Sequence, residues 1–146
     1  MGNLSPNFDT EEFRCSCCKK VKISLKLVDR LETIRQNIGN LPITITDGYR
    51  CAKYNDSIGG YPDSPHLTGE GADIKTSLSS IDLALKAEAV KDIRIGIYPR
   101  HLHIDVRPAC PSRFWFCHKY NDPLIYSKGE NDLKKFLKKV INNAVN

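Results

Sequence analysis

The sequence predicts an α+β fold, with a small antiparallel sheet and helices flanking it. Short β-branched segments follow one another as in hairpins, and apolar residues recur at helical spacing near both ends of the chain. The regular alternation of strand and crossover helix that marks a parallel sheet is missing. A chain of 146 residues suits one domain, which we expect to span residues 1–146.

Three segments show the periodicity of helices. From Ser24 to Ile38 four apolar residues recur at helical spacing, with Ser24 placed to cap the start and Gly39 to end the helix. Ser79–Asp92 predicts a second helix with a serine cap. A C-terminal amphipathic helix is predicted by an apolar stripe with lysines opposite it, formed by Leu133, Phe136, Leu137, Val140, Ile141 and Ala144.

Four short segments predict strands, and the last two are joined by a turn at Pro99 and Arg100. Residues 51–69 are rich in Gly, Pro, Asp and Ser, so we expect a long surface connection there, of the kind that often carries function. The predicted strands are Pro42–Tyr49, Ala72–Lys75, Ile93–Tyr98 and Leu102–Val106.

Composition excludes some classes of protein. With 40% hydrophobic and 27% charged residues the chain suits a globular protein, and no apolar run approaches the roughly 20 residues that span a bilayer. We therefore expect no membrane insertion, and no signal peptide in the opening MGNLSPNFDTEEF. The net charge of +5 lies partly in a tail whose lysines form a solvated helix face or attract polyanions, without specific nucleic-acid binding. These are Lys134, Lys135, Lys138 and Lys139.

The six cysteines leave three alternatives open. An even count permits disulfides, and the spacing C-x-C-C near the N-terminus is not that of a standard zinc ribbon. Free buried thiols, disulfides and a structural metal cluster all remain compatible with the pattern, and the absence of an export signal favours free thiols. The cysteines are Cys15, Cys17, Cys18, Cys51, Cys110 and Cys117.

Three of the four histidines lie in two short segments that also contain aspartates. In SPHLTGEGADI, His66 and Asp73 flank a turn through Gly69 and Gly71, and glycine permits the positive φ and close backbone approach that such a turn needs. The two side chains can therefore fold back towards one another.

The second segment is IYPRHLHIDVRP, in which His101, His103 and Asp105 alternate along a predicted strand. Alternation places the three titratable side chains on one face of the sheet and the apolar residues between them on the core face. Packing alone rarely calls for three such groups on one face.

Together the two segments predict a zinc site. Zinc favours imidazole nitrogen and carboxylate oxygen, and a catalytic site uses three protein ligands with a fourth position for water. His66 and Asp73 can supply two ligands and His103 the third. One carboxylate and two neutral imidazoles would leave the metal a net charge of about +1, enough to acidify a bound water.

The spacing His66-x-x-Gly69-x-x-x-Asp73 followed by His101-x-His103 resembles the zinc D-alanyl-D-alanine carboxypeptidases, or M15 peptidases. The motif is fairly specific as a whole, whereas an isolated H-x-H would be weak. The fold that this resemblance implies is a small α+β fold shared with the hedgehog signalling domain.

Further positions carry the same resemblance. Ser64 matches the Ser-x-His of that family, and Gly48-Tyr49-Arg50 matches the Gly-Tyr-Arg that precedes its metal loop. The opening LSPNFDTEEFRC is also similar, so the resemblance runs from about Leu4 to about Arg107.

The resemblance implies a role for each matching position. One zinc per chain would be bound by His66, Asp73 and His103. Arg50 would face the substrate and hold a carboxylate or the oxyanion, and Ser64 would help to orient the substrate.

Two positions depart from the pattern: Gly71 stands where many members have Ala, and Arg100 where several carry an acidic general base. Members with H-x-H have their first histidine as the proton-transfer group, which implies this role for His101. Asp105 is the alternative base, or it fixes a ligand imidazole from behind.

The expected function is zinc-dependent hydrolysis of peptide bonds in peptidoglycan stem peptides, as a D,D-carboxypeptidase or an endopeptidase. The peptidoglycan peptide would be the partner of a monomeric enzyme. Without an export signal, the chain would suit a phage-type endolysin that another factor releases from the host cytoplasm to the cell wall. The alternative is a non-catalytic zinc-containing module that binds cell wall or protein, which Arg100 in place of an acid keeps open.

Overall fold

The fold is α+β, as the sequence predicts. A computed structural model describes residues 2–108 and 112–145, with side chains up to residue 143, so Cys110 and the side chain of Ala144 lie outside the described part. The helices are α1 (Leu25–Asn37), α2 (Ala52–Ser57), α3 (Ser80–Ala87) and α4 (Leu133–Val145), with 3-10 turns at Thr10–Phe13 and Pro65–Thr68. The strands are β1 (Thr44–Asp47), β2 (Gly71–Lys75), β3 (Arg94–Ile97), β4 (Leu102–Asp105), β5 (Phe114–Phe116) and β6 (Ile125–Tyr126).

The described strands form one sheet in the order β1-β2-β4-β3-β5-β6. Four of the pairings are antiparallel, but β5 runs parallel to β3, so the sheet is mixed rather than purely antiparallel. The hairpin of β3 and β4 explains this exception. Its second strand, β4, ends beside the start of β3, where Asp105 lies opposite Arg94. Strand β5 then pairs with the other edge of β3 from that same end, so it runs in the direction of β3.

Helices α1, α3 and α4 enclose the core on one face of the sheet. Leu102 and Ile104 of β4 are fully buried in this core, as their alternation with polar residues predicts. The serine caps are also confirmed: Ser24 Oγ accepts from the amide of Leu27 at 3.4 Å, and Ser79 Oγ from the amide of Asp82 at 3.1 Å. Among the described helices none is long and apolar enough to cross a membrane.

The second predicted helix ends earlier than expected, at Ala87 rather than Asp92. The chain turns there because Val90 and Ile93 are buried, and Asp92 takes a left-handed conformation with φ of 57° before β3 begins.

The expected surface connection over residues 51–69 is wrong in part, because it contains α2 and the second 3-10 turn. Cys51 caps α2 with its sulfur, which accepts from the amide of Tyr54 at 3.4 Å. A thiol is not among the usual cap residues, so the sequence gives little sign of this helix.

Candidate metal centre

Strands β2 and β4 bring Asp73 and His103 face to face. The two residues are direct partners in the antiparallel ladder, and facing side chains in such a pair lie close together. His103 Nδ1 lies 3.0 Å from Asp73 Oδ1, and both side chains are buried. The sheet register therefore fixes their separation.

His66 reaches the same carboxylate from the second 3-10 turn. Ser64 caps this turn, with its Oγ accepting from the amide of His66 at 3.3 Å. Gly69 ends it with φ of 76°, and a Cβ at Gly69 would meet the carbonyl oxygen of Lys22 at 2.4 Å, so a glycine is required. His66 Nε2 then lies 3.3 Å from Asp73 Oδ1.

Donor atoms of His66, Asp73 and His103 all lie within 4.8 Å of one another. The Nδ1–H of His66 donates to the carbonyl of Gly48 at 2.6 Å, which leaves Nε2 as the inward donor atom. His103 Nε2–H donates to Asp105 Oδ2 at 2.9 Å, which leaves Nδ1. This donor set of two imidazole nitrogens and one carboxylate oxygen fits zinc. Hydrogen bonds to the outer nitrogen of each ring fix the orientation of both imidazoles.

The electrostatics of this centre favour a cation. Burial would raise the pKa of Asp73, but hydrogen bonds from His103 and His66 hold it well below its usual range. Burial would lower the pKa of His103, yet the hydrogen bonds to Asp105 and Asp73 raise it to about 9. The two carboxylates therefore remain ionised, and they attract a proton or a metal ion to the space between the ligand atoms.

Asp105 lies beneath His103 and is fully buried. Arg94 Nε donates to its Oδ1 at 3.1 Å, and the amide of Arg107 donates to the same oxygen at 3.3 Å. Burial would raise the pKa of Asp105, but the hydrogen bond with His103 and the charge of Arg94 lower it. Both oxygens of this carboxylate are thus engaged by neighbouring groups.

Arg50 lies at the edge of the centre with its guanidinium fixed on three sides. Nε donates to Asp47 Oδ2 at 2.6 Å, Nη1 donates to Asn55 Oδ1 at 3.3 Å, and Nη2 lies 3.5 Å from Asp73 Oδ2. Its amide also donates to the carbonyl of His66 at 3.0 Å, which couples the backbone of the two residues. A guanidinium held in this way is preorganised for an anion.

His101 immediately precedes β4, and its Nε2 lies 3.8 Å from Asp73 Oδ2. Its ring stacks on Tyr98, with ring centres 4.4 Å apart and planes 10° apart, and Nδ1 lies 2.9 Å from the hydroxyl of Tyr120. Burial lowers the pKa of His101 despite the opposing pull of Asp73. Its imidazole is therefore neutral near pH 7 and can accept a proton.

A cleft of about 700 Å³ opens over the centre. Asp105 lies below its floor, while the other predicted site residues line it: Arg50, Ser64, His66, Asp73, His101 and His103.

Five aromatic side chains contribute to the lining of the cleft. One of them, Trp115, belongs to an aromatic run for which the sequence favours core packing. The Trp115 ring lies 5.2 Å from that of His103, and its Nε1–H donates to the Tyr98 hydroxyl at 3.0 Å. Arg100, at the position of the family's acidic base, is exposed and lies over the Tyr120 ring at 5.2 Å. The lining aromatic residues are Tyr61, Tyr98, Trp115, Tyr120 and Tyr126.

Comparison with known proteins identifies a family. A family model described as Peptidase M15 matches residues 6–106, a range that holds every residue of the centre. The zinc D-Ala-D-Ala carboxypeptidase of Streptomyces albus G is 27% identical over 89 residues, which make up 59% of this chain and 35% of that protein. The chain thus spans about a third of the length of this curated relative.

Proposed function

The chain belongs to the peptidase M15 family, and from that premise we propose that it is a zinc peptidase acting on peptidoglycan stem peptides. The observation that carries the proposal is the convergence of His66 Nε2, Asp73 Oδ1 and His103 Nδ1 at the floor of one cleft. The similarity to a zinc D-Ala-D-Ala carboxypeptidase of Streptomyces albus G supports the class of substrate.

His66, Asp73 and His103 would hold one zinc ion. When bound, zinc polarises a scissile carbonyl and lowers the pKa of a water molecule. The carbonyl of Gly48 and the carboxylate of Asp105 keep the two imidazole rings oriented, with Nε2 of His66 and Nδ1 of His103 directed inwards. The ion would take the place of the proton between His103 and Asp73.

Arg50 stabilises negative charge on the substrate in this proposal. Its Nη2 lies near Asp73 at the floor of the cleft, where it can face either the carbonyl oxygen that becomes negative or the terminal carboxylate of a peptide. Ser64 lines the same cleft and helps to orient the substrate, in addition to capping the turn that carries His66.

His101 carries the proton. Its Nε2 faces the centre and accepts a proton from the attacking water, then returns it to the nitrogen of the leaving amine. Tyr120 and Tyr98 hold the ring in place. Asp105 is engaged by His103 and Arg94, so we assign it to orienting His103 rather than to proton transfer.

The test is digestion of purified peptidoglycan with zinc-loaded protein, with chelator-treated protein, and with treated protein to which zinc has been restored. We expect new termini, identified by mass spectrometry, in the first and third arms. Release of free D-Ala identifies a carboxypeptidase, and new internal termini identify an endopeptidase.

Absence of new termini with the zinc-loaded protein contradicts the proposal. Retention on peptidoglycan in a sedimentation assay without any cleavage would then indicate the non-catalytic binding module.

A further inference from the structure

A second group of metal-ligating side chains lies outside the cleft. The sulfurs of Cys15, Cys18 and Cys51 all lie within 4.8 Å of one another. Cys15 is fully buried, and the other two are half-buried. The group joins the N-terminal segment to the start of α2.

The backbone around the first two cysteines forms a tight loop. The amide of Cys15 donates to the carbonyl of Lys20 at 2.8 Å, and the amide of Lys19 donates back to the carbonyl of Cys15 at 3.1 Å. Lys19 takes the left-handed conformation with φ of 64°, which is uncommon for a residue other than glycine. The loop brings Cys18 over Cys15 at the C-x-x-C spacing typical of structural zinc sites.

Backbone amides surround the buried sulfur. Cys15 Sγ accepts from the amide of Cys51 at 3.4 Å, and the amides of Cys18 and Cys17 also point at it. Such an environment favours the thiolate, which is the form that binds metal.

We propose that Cys15, Cys17, Cys18 and Cys51 bind a second, structural zinc ion. Cys15, Cys18 and Cys51 are the three ligands whose sulfurs the fold brings together. Cys17 directly precedes Cys18 and is exposed, so it is the thiol best placed along the chain to supply the fourth ligand. Four thiolates form a closed tetrahedral shell, and each thiol loses its proton to solvent on binding. The charge of Lys53 near Cys17 offsets part of the negative charge of such a shell.

This site would clamp two segments that support the cleft. The carbonyl of Phe13 accepts from the amide of Tyr49 at 2.9 Å, and a Cβ at Gly48 would meet the Cα of Phe13 at 2.6 Å. Residues 48–51 carry the carbonyl that orients His66 and the guanidinium of Arg50. A zinc ion on the cysteines therefore positions residues of the cleft without touching the substrate.

The test is the zinc content of protein purified under reducing conditions, measured by plasma mass spectrometry. We expect two zinc ions per chain in the parent and one in Cys18→Ser. The matched control is Cys117→Ser, which removes a buried thiol that donates to the carbonyl of Lys119 at 2.9 Å and should keep both ions.

Cobalt substitution tests the cysteine site independently of the centre in the cleft. In the Asp73→Ala background we expect a thiolate-to-cobalt charge-transfer band in the near ultraviolet, and we expect Cys51→Ser to abolish it. This band reports metal binding by the cysteines whether or not the centre in the cleft binds metal, and its measurement requires no peptidase activity. If Cys18→Ser does not fold, the presence or absence of this band in Asp73→Ala still shows whether the cysteines bind metal.

Two results would overturn the proposal. One is a cobalt-loaded Asp73→Ala protein without the thiolate band. The other is a disulfide between any two of the four cysteines in freshly purified protein, detected by alkylation and mass spectrometry.

Discussion

The centre in the cleft and the cysteine cluster are built from different parts of the fold. Asp73 and His103 lie on paired strands, so the sheet register fixes their donor atoms, and the centre opens into the cleft. The cysteines lie on a tight loop and at a helix cap, and among the described residues none of them lines the cleft.

This difference indicates a catalytic role for the centre in the cleft and a structural role for the cysteine cluster. Catalytic zinc sites keep an open position, whereas structural sites are closed by four protein ligands. Residues 48–51 connect the two regions, since Arg50 reaches Asp73 and the next residue, Cys51, belongs to the cluster. Substitutions in one region should therefore be distinguishable from substitutions in the other.

The largest expected effect is that of Asp73→Ala. It removes the carboxylate that lies between His66 and His103, so the protein should lose zinc from the cleft and cleave peptidoglycan no faster than a protein-free control. The cobalt band of the cysteine site should remain. Asp82→Ala, an exposed aspartate of α3, is the matched control and should leave cleavage unchanged. Cleavage at the parent rate by Asp73→Ala would mean that the centre is elsewhere.

Next in size is Arg50→Lys. A lysine cannot reproduce the planar contacts to Asp47, Asn55 and Asp73, and loss of an oxyanion donor typically lowers turnover by about 10²- to 10³-fold. Zinc content should stay at the parent level. Steady-state kinetics on a stem peptide decide the role, because a rise in KM alone indicates binding of the substrate carboxylate.

Arg30→Lys on α1, where Arg30 donates to the carbonyl of Lys91, is the control for this substitution. Parent-like kinetics of Arg50→Lys and also of Arg50→Ala would contradict any role of Arg50 in the reaction.

A smaller loss is expected from Asp105→Asn. The amide keeps the shape of the side chain but removes the charge that orients His103, and removal of such a partner typically costs about 10- to 100-fold in metal affinity or activity. Zinc affinity, measured by competition with a chromogenic chelator, should fall together with activity. Complete loss of cleavage at full zinc occupancy would instead make Asp105 the proton-transfer group.

The smallest effect is expected for Lys135→Gln on α4, which belongs to neither region. The side chain is exposed, so the free energy of unfolding should change by no more than about 0.5 kcal/mol in a denaturant titration. Turnover of a soluble stem peptide should match that of the parent, and a large loss would connect α4 with the cleft.

Part of the centre in the cleft can be predicted from the sequence, because Asp73 and His103 lie in strands and His66 lies in a turn that a glycine ends. Period-two alternation places His103 and Asp105 on one face, and Gly69 marks the turn that returns His66 to Asp73, whereas Gly71 already belongs to β2. The direct pairing of Asp73 with His103 depends on the register of β2 and β4, which alternation alone does not fix.

Other features could not be predicted because their signals are weak or long-range. Cys15 and Cys51 are 36 residues apart, and no periodicity indicates that their sulfurs meet. Trp115 lies in an aromatic run that suits a core as well as a cleft, and only the parallel pairing of β5 with β3 decides its place. The cap of α2 is a thiol, which propensity does not count as a helix start.

The most direct test of the account is anomalous X-ray diffraction at the zinc absorption edge from crystals of zinc-loaded, active protein. We predict a peak bonded to His66 Nε2, Asp73 Oδ1 and His103 Nδ1, with His101 outside the coordination shell. Active crystals without a peak at these three atoms, or with His101 bound in place of His103, would contradict it.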